Sequence, residues 1–173
     1  MSRSMAAATL ALLALAPAAG WAGGTAWDAA KSVVGKATAG KLEQEINRRL
    51  LAEGRKNQCS FKTDSDELAP GCDSKVRRLA DALIDAKKRL NAAGVENFKF
   101  VVSGHTDSSG SATHNKELSA KRAAVIQREM VKRGVAASEI VSVGMGSERP
   151  LVKPDDTPAR KAKNRRYEIQ VKL

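Results

Sequence analysis

The sequence predicts an α/β sandwich of the α+β kind: a mixed sheet layered against helices in the order β-α-β-α-β-α-β, behind an N-terminal helical segment. Three observations carry that expectation. FKFVVSG (98–104) is rich in aromatic and β-branched residues. Val76, Leu79, Ala80, Leu83, Ile84, Ala86 and Leu90 recur on one face of a helix. In RRYEIQVKL, Tyr167, Ile169, Val171 and Leu173 alternate with Arg166, Glu168, Gln170 and Lys172, the period of a strand with one buried and one wet face.

Taken in order, MSRSMAAATLALLALAPAAGWAGG has a positive start at Arg3, an apolar run from Met5 to Ala16 and a break at Pro17. Gly20, Trp21 and Ala22 fit the small-x-small rule, so residues 1–22 read as a secretion signal cut after Ala22. The run is too short to span a bilayer, which needs about 20 residues. No Cys follows it to be acylated, so the mature chain is expected to be soluble and exported.

Residues 23–54 form a helical spacer or arm. Leu42, Ile46 and Leu50 make a thin stripe, and Gly35 and Gly40 predict a break or two shorter helices. Such a segment (25–53) either rests on the domain or grips another protein.

From residue 55 to 173 a single domain is expected. QCSFKT (58–63) alternates like a short strand. After Pro70 and Gly71, a helix capped by Asp73 or Ser74 runs to Gly94. FKFVVSG follows as a strand covered on both faces. The next helix runs from about Thr113 to Arg133 and is ended by Gly134. EIVSVGMG (139–146) is a strand entering a glycine turn, and a short helix around Ala159 to Lys163 leads into the last strand.

Lys and Arg number 30 against 19 Asp and Glu, a formal net charge of +11, with only 3% aromatic residues. The base excess suggests an anionic setting. Nucleic acid fits poorly, because single-strand binders add aromatic platforms and export removes the chain from its targets. Cys59 and Cys72, the only two cysteines, predict a disulfide in an exported chain, which in the chain-entropy account stabilises by about 3 kcal/mol.

The chemistry concentrates in GHTDSSGSATHNKELSAKR (104–122). Ligands of open α/β sheets bind beyond the carboxyl ends of strands, and the strand ending at Gly104 places His105 to Gly110 there. Asn115, Ser119 and Arg122 follow at i, i+4 and i+7 on one helix face. If that helix packs beside the loop, Arg122 meets Asp107. A carboxylate opposite a guanidinium, with an amide and a hydroxyl between, suits an amino-acid zwitterion. On spacing alone an internal salt bridge fits as well.

Two other chemistries are weaker. A hydrolase would take Ser108, Ser109 or Ser119 as nucleophile, His105 or His114 as base and Asp107 as orienter, but no nucleophile elbow or oxyanion arrangement is legible. His105, Asp107 and His114 match no zinc spacing. The expectation is therefore a non-enzyme without metal or cofactor, with a ring nitrogen of His105 hydrogen-bonded to fix the turn.

GHTDSSGSATHNKELSAKRAAVI, VGMGSERP and AKNRRYEIQV resemble the OmpA-like C-terminal domain, over roughly residues 55–173. The resemblance implies non-covalent binding of periplasmic peptidoglycan through the meso-diaminopimelate of its peptide stem. The key acid falls on Asp107 and the key arginine on Arg122. Thr106, Asn115, Leu118 and Ser119 match positions that shape the pocket, and Arg165, in the Asn164-Arg165-Arg166 closing motif, supports it. Lys161 and Met145 depart from the family, which usually has an Arg and an aromatic residue there. A cell-wall or outer-membrane-associated adaptor is implied. The alternative is a basic periplasmic protein-protein interaction factor with a vestigial wall pocket.

Overall fold

Leu42, Ile46 and Leu50 bring the first helix onto the domain rather than away from it, and they pack into one core with the rest of the chain. The computed structural model describes residues 26–62 and 65–173; the expected signal segment lies outside them. The elements are α1 (Ala26–Lys56), α2 (Asp73–Ala92), β1 (Lys99–His105), α3 (Ala112–Lys132), β2 (Ile140–Gly144), α4 (Pro158–Asn164) and β3 (Arg166–Lys172). A 3-10 turn, Ala137–Glu139, leads into β2. Among the described residues no helix is long and apolar enough to cross a membrane.

The sheet is mixed, in the order β2-β1-β3. β1 pairs with β2 in parallel, Phe100 opposite Ile140, and with β3 antiparallel, Phe100 opposite Val171. Phe100, Val102, Ile140, Tyr167, Ile169 and Val171 are buried against Val76, Leu79, Leu83 and Leu90 of α2 and Ile126 and Met130 of α3. Each large apolar side chain buried this way is worth about 1.5–3 kcal/mol. On β1 burial alternates residue by residue as far as Gly104, so the strand is covered on one face, not on both as its composition suggests. Val141 and Val143 of β2 are 43% and 39% exposed.

Three local expectations are corrected. α1 is one helix through Gly35 and Gly40. A helical glycine costs about 1 kcal/mol relative to Ala, a cost that the packing of the C-terminal half of α1 and its 31-residue length absorb without a break. The 58–63 segment is not a strand of the sheet; only an isolated bridge, Phe61 to Leu68, forms there. Helix α2 starts at Asp73 with Cys72 before it, and no side chain caps it.

The outer edge of β3 is closed by two amides in place of that strand. Asn47 donates from Nδ2 to Val171 O at 3.0 Å and accepts from Val171 N at 2.7 Å. Gln58 donates from Nε2 to Tyr167 O at 2.8 Å and accepts from Tyr167 N at 3.3 Å. A carboxamide offers one donor side and one acceptor side, as a peptide group does.

The expected Cys59–Cys72 disulfide is not formed: both thiols are free and buried. The Cys59 thiol donates to Cys72 O at 3.7 Å and the Cys72 thiol to Ser60 O at 3.9 Å, so each is satisfied as a thiol. Burial pushes the Cys59 thiol up to about 12.

Candidate ligand-binding site

Two glycines let the strand ends meet helix α3. An added Cβ on Gly104 would fall 2.2 Å from Ser119 O, and one on Gly144 would fall 2.5 Å from Lys116 O. Only a residue without a side chain fits at such an approach. Helix α3 therefore runs directly beside the carboxyl end of β1. Its N-cap, Ser111, accepts from His114 N, and Gly110, at φ +84°, turns the loop into it.

The loop after β1 is fastened at several points. Thr106 N donates to Gly146 O at 2.9 Å. Gly146 N in turn donates to Ser119 Oγ at 2.9 Å, and that hydroxyl donates to Lys116 O. Asn115 donates from Nδ2 to Ser109 O at 2.8 Å. Asp155 accepts from Ser108 N at 2.9 Å and from Ser108 Oγ, and it also accepts from Asn164 Nδ2 at 2.9 Å. These hydrogen bonds hold the Asp155 carboxyl down at about 2.

Asp107 and Arg122 line the same cavity, of about 860 Å³, and each is only 8% exposed. No ion pair joins them. Asp107 accepts at Oδ1 from Ser109 N, 2.9 Å away, and at Oδ2 from Arg165 Nη1, 2.7 Å away. Burial alone would raise its carboxyl, but the Arg165 guanidinium and Ser109 outweigh that and hold it below the usual carboxylate range. Arg122 donates from Nε to Ser65 O at 2.9 Å and from Nη2 to Lys62 O at 3.4 Å, and its guanidinium lies 5.1 Å from the centre of the Phe61 ring. These carbonyls and the aromatic face orient the cation.

Of the other residues that the sequence singles out, Thr106, Asn115, Leu118 and Arg165 line this cavity. Ser119 does not line it; it is fully buried and acts through Gly146. His105 is 3% exposed, and its ring is not tied down as expected: among the described residues neither nitrogen has a hydrogen-bond partner. Nε2 stands 4.0 Å from Glu168 Oε2. Burial first, and then Arg166, press its pKa down to about 4. Thr106 Oγ1 is also buried with no hydrogen-bond partner among the described residues. Lys161 reaches the loop indirectly, donating to Ser109 Oγ at 2.8 Å.

The hold of Phe61, Lys62 and Ser65 on Arg122 is not among the sequence expectations. Backbone carbonyl acceptors have no side-chain signature, although the aromatic Phe61 in QCSFKT is a visible cue. Asp155 lies in a proline-rich loop that carries no such cue. Among the described residues no group of three His, Cys, Asp or Glu side chains could hold a metal ion.

A profile of the OmpA family matches residues 60–165. The chain belongs to the OmpA family. Among curated relatives, the OmpA-family segment is 36% identical over 112 residues to the peptidoglycan-binding protein ArfA of Mycobacterium tuberculosis, covering 65% of this chain and 31% of that protein. It is 33% identical over 110 residues to the peptidoglycan-associated lipoprotein of Pseudomonas aeruginosa, covering 64% of this chain and 59% of that one. The chain thus spans from about a third to three fifths of these relatives' length. Its fold is that of the peptidoglycan-associated lipoprotein from Burkholderia pseudomallei, with TM-score 0.55 at 23% identity over 66% of this chain and 89% of the other. A putative MotB-like protein from Desulfovibrio vulgaris shares it too, with TM-score 0.56 at 22% identity over 76% and 91%.

Proposed function

We propose that this chain is a non-enzymatic, periplasmic cell-wall adaptor that binds peptidoglycan non-covalently through the meso-diaminopimelate of its peptide stem. The observation that carries the reading is the pair itself: Asp107 and Arg122 line one cavity, buried, oriented by other groups and not joined to each other. The names of relatives, a peptidoglycan-binding protein and a peptidoglycan-associated lipoprotein, support it.

In this reading the ligand ammonium adds to Asp107. Each carboxylate oxygen has two lone pairs, so Asp107 accepts it while keeping Arg165 and Ser109. The ligand carboxylate meets the guanidinium of Arg122, and the unpartnered Thr106 hydroxyl serves the same head group. Asn115, Ser119 and Arg165 hold the loop and the acid in place. Charge-assisted hydrogen bonds net about 1.5–3 kcal/mol each. After the cost of ordering a flexible stem, affinity falls in roughly the micromolar to millimolar range. The N-terminal segment read as a secretion signal, with relatives named for binding or association with peptidoglycan, supports a periplasmic, wall- or outer-membrane-associated location.

The test is sedimentation with purified sacculi. Asp107→Ala and Arg122→Ala are each expected to lower binding about tenfold or more while remaining folded. A wall carrying lysine in place of meso-diaminopimelate lacks the carboxylate for Arg122 and is expected to bind far less. Equal retention of both variants would overturn the reading and leave general basic charge as the cause, which salt would then abolish.

A second reading, a basic interaction factor gripping another envelope protein through α1, draws on exposed positions of that helix. Gly35, Ala37 and Thr38 are exposed, and an added Cβ at Gly35 or Gly40 meets nothing within 4 Å. Free meso-diaminopimelate as competitor separates the two: it strips the protein from sacculi only if the cavity holds the wall.

A further inference from the structure

The cavity is larger, and more basic, than one amino-acid head requires. Its volume of about 860 Å³ lies high in the ~300–1,000 Å³ range of pockets that take drug-sized ligands, so a single zwitterion leaves most of it unfilled. Several cations line it, and three of them already have acids: Lys62 pairs with Glu67 at 2.5 Å, Arg165 with Asp107 and Arg166 with Glu168 at 2.7 Å. Arg55, in the last turn of α1, and Lys163, near the end of α4, also line the cavity. Neither has an acid partner among the described residues. Among the described residues Asp107 is the only acid that lines it.

We infer that Arg55 and Lys163 form a second anion subsite, which takes a further carboxylate of the same peptide outside its diamino-acid head. The inference rests on the proposed wall-binding reading and narrows its ligand to stems whose additional carboxylates are free rather than amidated. Phe61 and Leu118, which also line the cavity, give the peptide backbone an apolar surface. Both cations are exposed, so the subsite adds discrimination more than affinity and weakens with salt.

The test uses three probes in calorimetric titration at low salt: free meso-diaminopimelate, L-alanyl-γ-D-glutamyl-meso-diaminopimelate, and the same tripeptide with the glutamyl α-carboxylate converted to a carboxamide. The wild type is expected to bind the free acid about two- to tenfold more tightly than the amide. Arg55→Gln combined with Lys163→Gln is expected to bind both tripeptides alike and to keep its affinity for meso-diaminopimelate. If the wild type binds both tripeptides equally while meso-diaminopimelate still binds, the subsite is wrong and the wall-binding function stands. A preference that persists in the double variant also overturns the subsite. Failure of all three probes to bind overturns the proposed function and the subsite with it.

Discussion

Gly104 sets how closely β1 approaches α3, and through that the position of every group in the cavity. Because an added Cβ would fall 2.2 Å from a backbone oxygen, Gly104→Ala forces the strand and helix apart. The expected cost is about 1–3 kcal/mol, read as a lower denaturant midpoint, with weakened sacculus binding alongside. His105 makes a prediction of another kind. Its folded pKa, about 4, lies below the ordinary histidine value near 6.5. The neutral ring's contribution is therefore complete above about 6.5 and is lost as pH falls through about 4, because the unfolded chain binds the proton first. Between those limits stability is expected to fall with acidity, and His105→Gln is expected to flatten that slope. An unchanged slope in the variant would assign the acid sensitivity to other groups.

At the scale of elements, α1 shows what a long helix tolerates. Gly35 and Gly40 interrupt its pattern without interrupting its backbone, and neither has a neighbour that a methyl group would strike. Gly35→Ala and Gly40→Ala are each expected to stabilise by about 0.4–1 kcal/mol, checked by thermal melting. The stronger periodic elements were legible: the apolar stripe of α2, the final alternation and the Ser111-capped α3 all stand within about two residues of where the pattern puts them. QCSFKT has the alternation of a strand yet makes only one bridge. Alternation reports which side chains are wet, not which backbone becomes the partner, and here side-chain amides of Asn47 and Gln58 occupy the edge of β3. Likewise FKFVVSG announces a strand but not how many of its faces are covered, which depends on where distant helices lie.

At the scale of the whole molecule, the acid and the arginine could be named from one stretch of sequence because strand end, loop and helix are contiguous there. What holds Arg122 could not, and Arg165, which holds Asp107, entered only through the resemblance of the closing motif. Arg122 is held from residues 62 and 65 and Asp107 from residue 165, contacts that exist only once the chain has closed on itself. The two cysteines were expected to be bonded, but spacing is silent on their oxidation state. With the Cys59 thiol raised to about 12, almost no thiolate is present near neutral pH. Iodoacetamide is therefore expected to label it slowly in the native protein and rapidly after denaturation, as mass spectrometry would record; fast native labelling would contradict the buried placement.

The amides of Asn47 and Gln58 also bear on how the protein can be cut. Trimming the chain to begin at residue 55 would strip Ile46 and Leu50 from the interior and bare the polar rim of the last strand at Val171. Such a fragment would meet its own copies along that rim and self-associate. The leading helix is thus a built-in guard against polymerisation, whatever else it grips.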